Sequence, residues 1–377
     1  MRKYLLASIC VCLIATKALG FETNAKYAYL VDADTGYVMV DKQSEVAMAP
    51  ASMSKLMTAY MIFDALKSGK ITLEDEFLVS ENAWRKGGVK SGSSTMFLEP
   101  GKLVKVKDLL RGIIVQSGND ACIVAAEGLA GSEDVFATLM SQKAKEIGLE
   151  HSTFANATGL PHPEHLMSSK DLALLAKEII QKFPEYYSIY SEREFKYNGI
   201  KQGNRNPLLY TMDGADGLKT GHTEASGYGL TGSVKTKDGR RLIMVLNGLK
   251  SMKDRSTESQ KVMGYGIAGF ENVTVFHKGD VVEKIPVWYG TSEVVSAIVD
   301  TPAIMTIKRG QKAGVMTKIV YDTPVVAPVK KGQKLGTLVI TTSDNQTRYM
   351  DLVAQENIDK VGYFGKLKKI VKSKLGL

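Results

Sequence analysis

A strand pattern opens the chain just after its first residues, gives way to a long helical stretch, and returns only far downstream. Residues 27–40, YAYLVDADTGYVMV, read as two strands joined at Asp34-Thr35-Gly36, and GYGLTGSVKTKDGRRLIMVLNG (227–248) reads as a second hairpin turning at Asp238-Gly239. Helical periodicity fills the interval at 52–67, 106–116, 121–130, 133–147 and 169–181. Strands at both ends of a helical middle predict one antiparallel sheet assembled from the two ends, with helices packed on it, which is an α+β domain.

From Val275 the pattern changes to short strands rich in Val, Ile and Thr with Gly and Pro between them, as in VTVFHKGDVVEKIPVWYG and PVVAPVKKGQKLGTLVIT. This predicts a small all-β sandwich over 275–356 after a first domain over 21–274. A chain of 377 residues is long enough for both cores.

The two termini belong to neither core. MRKYLLASICVCLIATKALG has two early basic residues, an apolar run and a small-residue site before Phe21, the pattern of a signal peptide over 1–20 and of an exported protein. The apolar run is too short for a membrane span. At the other end, 357–377 places Val361, Phe364, Leu367, Ile370 or Val371, and Leu375 three or four residues apart, with lysines opposite. A basic amphipathic helix lying on an anionic membrane surface fits this pattern; a solvated helix or one covering the β domain are the alternatives.

Charge and cysteine follow from those ends. Of the net charge of +9, three positive charges (Arg2, Lys3, Lys17) lie in the leader and six (Lys360, Lys366, Lys368, Lys369, Lys372, Lys374) in the tail. The body between is neutral, so the basic balance gives no reason to expect a nucleic-acid partner. Loss of Cys10 and Cys12 with the leader leaves Cys122 alone, so no internal disulfide forms, and its apolar setting in ACIVAAE marks a buried structural thiol.

The chemistry is concentrated in three short stretches. In PASMSKLMTAY (50–60), Ser52 and Lys55 share one face of a helix start. Either Ser52 or Ser54 caps the helix and Lys55 is solvated, or Ser52 is a nucleophile whose base is a lysine of lowered pKa. QSGND places Ser117 and Asn119 in a polar turn between two apolar helices, and DGLKTGHT places Lys219-Thr220-Gly221 at the start of a strand, where glycine admits a close backbone approach. Each has a plain structural reading as a turn or a strand edge. His162 and His165 in GLPHPEH sit in a proline-broken loop with no third ligand, so no metal is expected, and no pattern calls for a cofactor.

Taken in order, Ser-x-x-Lys, Ser-x-Asn and Lys-Thr-Gly form the signature set of penicillin-binding proteins and class A β-lactamases. The chain resembles the D-alanyl-D-alanine carboxypeptidases among the low-molecular-mass penicillin-binding proteins, the type with an added β domain and a membrane-associated C-terminal helix. GSSTMFLEPG (92–101), NATGLP (156–161) and NRNPLL (204–209) add to the resemblance, which spans the chain beyond its leader. One departure is Glu224, which follows KTGHT where the family tends to have small residues, and it bears on ligand preference.

The resemblance implies a penicillin-binding transpeptidase fold and a serine enzyme acting on peptidoglycan stem peptides at the periplasmic face of the inner membrane or the outer face of the cell membrane. It makes Ser52 the nucleophile, Lys55 the general base, Ser117 a proton relay between Lys55 and the leaving amine, and Asn119 an anchor for the substrate amide. Lys219 would keep Lys55 neutral, Thr220 and the basic surroundings would bind the terminal carboxylate, and the N–H groups of Ser52 and His222 would form the oxyanion hole beside Gly221. β-Lactams would acylate Ser52. The Glu-x-x-x-Asn of class A β-lactamases is missing, since Glu150 and Glu164 lack the asparagine. A D,D-endopeptidase and a non-catalytic wall-binding protein are the competing functions.

Overall fold

The computed structural model describes residues 21–362. Gly36, at φ 76°, makes the tight turn between strands β1 (Tyr27–Asp32) and β2 (Val38–Lys42). The helical region follows, interrupted by a small two-stranded sheet, β3 (Glu76–Leu78) with β4 (Leu103–Lys105), and a hairpin, β5 (Glu194–Tyr197) with β6 (Ile200–Gly203). β7 (Ala215–Thr223), β8 (Gly227–Lys235) and β9 (Arg241–Leu249) then complete a five-stranded antiparallel sheet of order β2-β1-β9-β8-β7. β1 pairs β9 from Tyr27↔Asn247 to Asp32↔Leu242, so the sheet joins the two ends of the domain as their patterns predict.

Both faces of that sheet are covered. On β9, Ile243 and Val245 point into the core shared with the helices α1 (Lys55–Lys67), α3 (Val106–Ile114), α4 (Asn119–Ala130), α5 (Glu133–Glu146) and α6 (Ser169–Lys182). Leu242, Met244 and Leu246 alternate to the other face and meet Val262 and Met263 of α9 (Met252–Gly269). Shorter helices α2 (Glu81–Gly87), α7 (Pro184–Tyr187) and α8 (Leu208–Thr211) complete the set. Serines 80, 132, 168 and 251 cap α2, α5, α6 and α9 by accepting a backbone N–H three residues on, each worth about 1 kcal/mol.

Helix α9 has no counterpart among the periodicities above. Its buried side includes Arg255, Glu258 and Ser259, so polar residues occupy the face where an apolar stripe would have announced it. Glu258 accepts from Thr23 Oγ1 at 2.6 Å and from the backbone of Asn24, which fastens the start of the domain to the helix.

The second domain is all β. β10 (Phe270–Phe276) pairs β13 (Ala303–Lys308), and a six-stranded sheet runs β14-β16-β17-β12-β11-β15 (Met316–Val320, Lys334–Thr341, Thr347–Ala354, Val294–Val299, Val281–Trp288, Val325–Val326). Ile285, Val295, Leu338, Ile340 and Leu352 fill the space between. β10 begins at Phe270, directly after α9, five residues ahead of the boundary drawn at 275 from the pattern. At the far end, Ile358 and Lys360 bridge to Val329 and Gly290, so residues 357–362 extend the β domain and do not open a helix. The amphipathic pattern from 363 onward and the leader at 1–20 lie outside the described residues, among which no helix is long and apolar enough to cross a membrane.

The first hairpin joins the two domains. Thr35 and Thr306 hydroxyls share a 2.6 Å hydrogen bond, Asn272 donates to Asp32 at 3.1 Å, and the Tyr37 hydroxyl donates to the Asp344 carboxylate.

Candidate active site

Ser52 is held on a single 3₁₀ turn, Ala51–Ser54, that runs into α1. Ala51 at φ 49° lies in the left-handed region, a strained setting for a residue with a Cβ. Neither Ser52 nor Ser54 makes a side-chain cap, which removes the structural reading of this stretch. Lys55 instead donates to Ser52 Oγ at 2.8 Å and to the Thr158 carbonyl at 2.5 Å. Its side chain is buried, and burial pushes the amine down to about 8, with the Arg205 charge adding to the effect.

The carbonyl that receives Lys55 belongs to the NATGLP turn. Asn156 Oδ1 accepts from the N–H groups of Thr158 and Gly159, and Thr58 of α1 donates to the Ala157 carbonyl at 2.6 Å. Gly159 has φ 80°, and a Cβ there would stand 2.1 Å from the Ala51 carbonyl oxygen. Only glycine lets this turn close over the turn that carries Ser52.

Ser117 ends the approach to α4 with φ 61°, again in the left-handed region. Its Oγ accepts from Lys219 Nζ at 2.9 Å, and Lys219 also donates to the Thr220 carbonyl at 3.1 Å. Burial drives the Lys219 amine well below its ordinary range, and the charge on Lys55 pushes it further. The direct partner of Ser117 is therefore Lys219, and no hydrogen bond joins Ser117 to Lys55 among the described residues. Asn119 donates from Nδ2 to Ser93 Oγ at 2.8 Å, while its buried Oδ1 has no partner among the described residues. Asp120, fully buried, accepts from Thr95 Oγ1 and from the N–H groups of Met96 and Leu98, which fixes the loop carrying Ser93.

β7 is an edge strand of the main sheet and closes the site from the side opposite α4. Gly221 packs against the nucleophile turn: a Cβ there would lie 2.8 Å from the Pro50 carbonyl oxygen and 3.2 Å from Ala51 Cβ. Its lack of a side chain thus serves a contact inside the protein, whereas the sequence suggested an approach by ligand backbone. Thr220 is buried and His222 exposed, with the His222 ring stacked on Tyr228 at 3.8 Å.

Two arginines complete a cationic floor. Arg205 donates to Ser94 Oγ at 2.6 Å, and Arg255, buried on α9, reaches the Arg205 carbonyl and sits over the Tyr228 ring. Burial lowers Arg255 to about 10, with the Arg205 charge adding to it. Among the described residues, none of Lys55, Lys219, Arg205 and Arg255 has a carboxylate partner. Of these Arg205 is exposed, while Lys55, Lys219 and Arg255 are buried, and buried positive charge without a counter-ion is costly and fits an anionic ligand. Arg205 lay within NRNPLL, a stretch carried by resemblance alone; Arg255, Ser93 and Thr158 had no assigned part.

Cys122 is fully buried and its thiol pushed up to about 12 by burial, the state of a structural cysteine. His162 is on an exposed loop and His165 is buried against Phe154, and no cluster of metal-ligating side chains occurs among the described residues.

Comparison with known proteins agrees with this geometry. The D-alanyl-D-alanine carboxypeptidase family matches residues 14–250, and the family described as penicillin-binding protein 5, C-terminal domain, matches 270–360. The chain is 37% identical over 354 residues to D-alanyl-D-alanine carboxypeptidase DacA of Escherichia coli, covering 93% of this chain and 88% of that one. Its fold is similar to that of penicillin binding protein 5 from Haemophilus influenzae, with a TM-score of 0.83 and 34% identity over 90% of this chain and 98% of the other. A third likeness is to penicillin-binding protein D2 from Listeria monocytogenes in its ampicillin-bound form, at TM-score 0.56 and 26% identity over 66% of this chain and 98% of that one.

Proposed function

The chain belongs to the D-alanyl-D-alanine carboxypeptidase family, a serine hydrolase of peptidoglycan that also binds penicillin, and from that premise we propose how its own residues divide the work. The observation that carries the reading is the buried amine of Lys55, lowered to about 8 and 2.8 Å from Ser52 Oγ. An amine so placed is neutral in roughly one molecule in ten at pH 7, and in that state it accepts the hydroxyl proton as Ser52 Oγ adds to the carbonyl joining the two terminal D-alanines.

The negative charge that develops on the carbonyl oxygen falls to the backbone N–H groups of Ser52 and His222, each worth about 3 to 4 kcal/mol in comparable sites. Collapse of the tetrahedral intermediate breaks the peptide C–N bond. The leaving nitrogen takes its proton through the Ser117 hydroxyl, which Lys219 holds at 2.9 Å, and D-alanine departs. Water then adds to the ester carbonyl, gives a proton back through the same groups, and restores Ser52. The free Oδ1 of Asn119 receives the substrate amide N–H, and Thr220 with Arg205 and Arg255 receives the terminal carboxylate.

Penicillin acylates the same serine, and its ester is slow to leave. Neither Glu150 nor Glu164 has the asparagine four residues on that accompanies the water-activating glutamate of class A β-lactamases. Release of one D-alanine per muropeptide ending in D-Ala-D-Ala, blocked by penicillin and lost in Ser52→Ala, supports the assignment. Intact penicillin labelling without release would favour action on crosslinks instead, and no labelling at all would favour a binding role.

The leader and tail extend this reading to a location. Removal of 1–20 leaves Phe21 first, and that ring stacks on Tyr265 at 4.2 Å, so a chain starting there keeps its first residue packed on the fold. The lysine-rich tail then lies on anionic lipid at the membrane surface. Since 357–362 belong to the β domain, the deletion that tests the anchor is 363–377; it releases the protein from membranes with activity on soluble peptide unchanged, and retention on the membrane refutes it.

A further inference from the structure

The β domain carries an outward apolar strip beside the point where the described chain ends. On β11, Lys284, Pro286 and Trp288 share the outward face while Ile285 and Val287 turn into the core. Trp288 is 55% exposed and pairs in register with Val326, itself 52% exposed; Val294, opposite Pro286, is exposed as well. Lys284 lies on the outward side of this strip and Lys330 follows Val326 and Pro328 in the same exposed alternation, and neither is in an ion pair among the described residues. The chain passes alongside: Gly290 bridges Lys360, and the Val361 N–H donates to the Tyr289 carbonyl at 2.8 Å.

We propose that the Trp288–Val326 strip is a second membrane contact, through which the end of the β domain inserts an indole into the headgroup region of anionic lipid next to the tail. This rests on the membrane reading of the tail given above. An exposed tryptophan among aliphatic side chains, with lysines along the same strip, suits the boundary between headgroups and acyl chains, where the ring is half buried and the ammonium groups meet lipid phosphates. The fifteen residues from 363 to 377, with five lysines, leave the fold within a few residues of that ring, so a tail on lipid brings the strip to the same surface. A protein partner has no such continuity to recommend it.

The chain has only two tryptophans, Trp84 and Trp288, and Trp84 lies on α2 in the other domain, so Trp84→Phe makes Trp288 the sole reporter. The chain from Phe21 to Leu377 carrying that substitution is titrated with vesicles of phosphatidylglycerol and phosphatidylethanolamine, with and without bromine on the acyl chains. The expected result is a blue-shifted, bromine-quenched Trp288 emission, weaker on phosphatidylcholine, and an affinity about tenfold lower for Trp288→Ala. Vesicle binding with no spectral change and no loss in Trp288→Ala overturns the strip while leaving the tail as anchor. No sedimentation with vesicles at all overturns the tail reading first. Emission already blue-shifted without lipid, and reversed by deleting 363–377, means that the tail covers the strip, which also overturns the proposal.

Discussion

A Cβ on Gly221 would stand 2.8 Å from the carbonyl oxygen of Pro50. The edge strand and the nucleophile turn are therefore in backbone contact, and Gly221→Ala must push them apart. We expect a stability loss of about 1 to 3 kcal/mol and penicillin acylation slowed by at least about tenfold. Thermal unfolding and the rate of labelling by fluorescent penicillin measure the two effects separately.

Ser52→Ala should abolish labelling, and Lys55→Ala should slow acylation by about 10² to 10⁴-fold with the fold intact. Intact-mass analysis after drug exposure shows any adduct. A Lys55→Ala protein acylated at the normal rate would remove lysine from the role of base.

In the proposed mechanism the free amine of Lys55 is the reactive form, and burial lowers it to about 8. Acylation should accordingly rise with pH through that value and level off above it, in stopped-flow measurements between pH 6 and 10. A rate independent of pH across this range would mean that another group takes the proton.

Arg255 is a buried cation without an acidic partner among the described residues. Arg255→Gln should lower kcat/KM on D-Ala-D-Ala peptides by about 10 to 100-fold, the scale of one charge-assisted contact. A peptide with a C-terminal amide should be a poor substrate of the unaltered enzyme and be hardly affected by the substitution.

His165 is lowered to about 4, chiefly by burial. Between that value and 6.5 the unfolded chain binds a proton that the folded protein does not, so stability falls as pH drops through this window. The loss approaches about 3 kcal/mol near pH 4. Denaturant midpoints at pH 7 and pH 4.5 should differ less in His165→Leu, whatever that substitution costs at neutral pH.

Much of this was legible because it is local. The hairpins at 27–40 and 227–248 carry their own turn residues, and the three triplets carry the side chains that meet in the site within a few positions each. What stayed hidden depends on contacts between distant segments. Arg255 becomes part of the site only because α9 lies across the sheet, and α9 escaped notice because Arg255, Glu258 and Ser259 are among its buried residues. Gly221 looks like any strand glycine until Pro50 is placed against it. The step from α9 to β10 falls at Phe270 with no turn signal between them, so the boundary showed in the sequence only once β residues had accumulated.

The register of the main sheet also governs how the molecule is made. Tyr27 and Asn247 are paired although roughly 220 positions separate them, a loop closure of high contact order and a slow step. During synthesis β1 waits with an open edge until β9 arrives to occupy the centre of the sheet. A chain stalled or cut before Arg241 possesses Ser52, Lys55, Ser117 and Asn119 but lacks the strand that joins β1 to β8, so the two halves of the sheet that frame these residues stay apart.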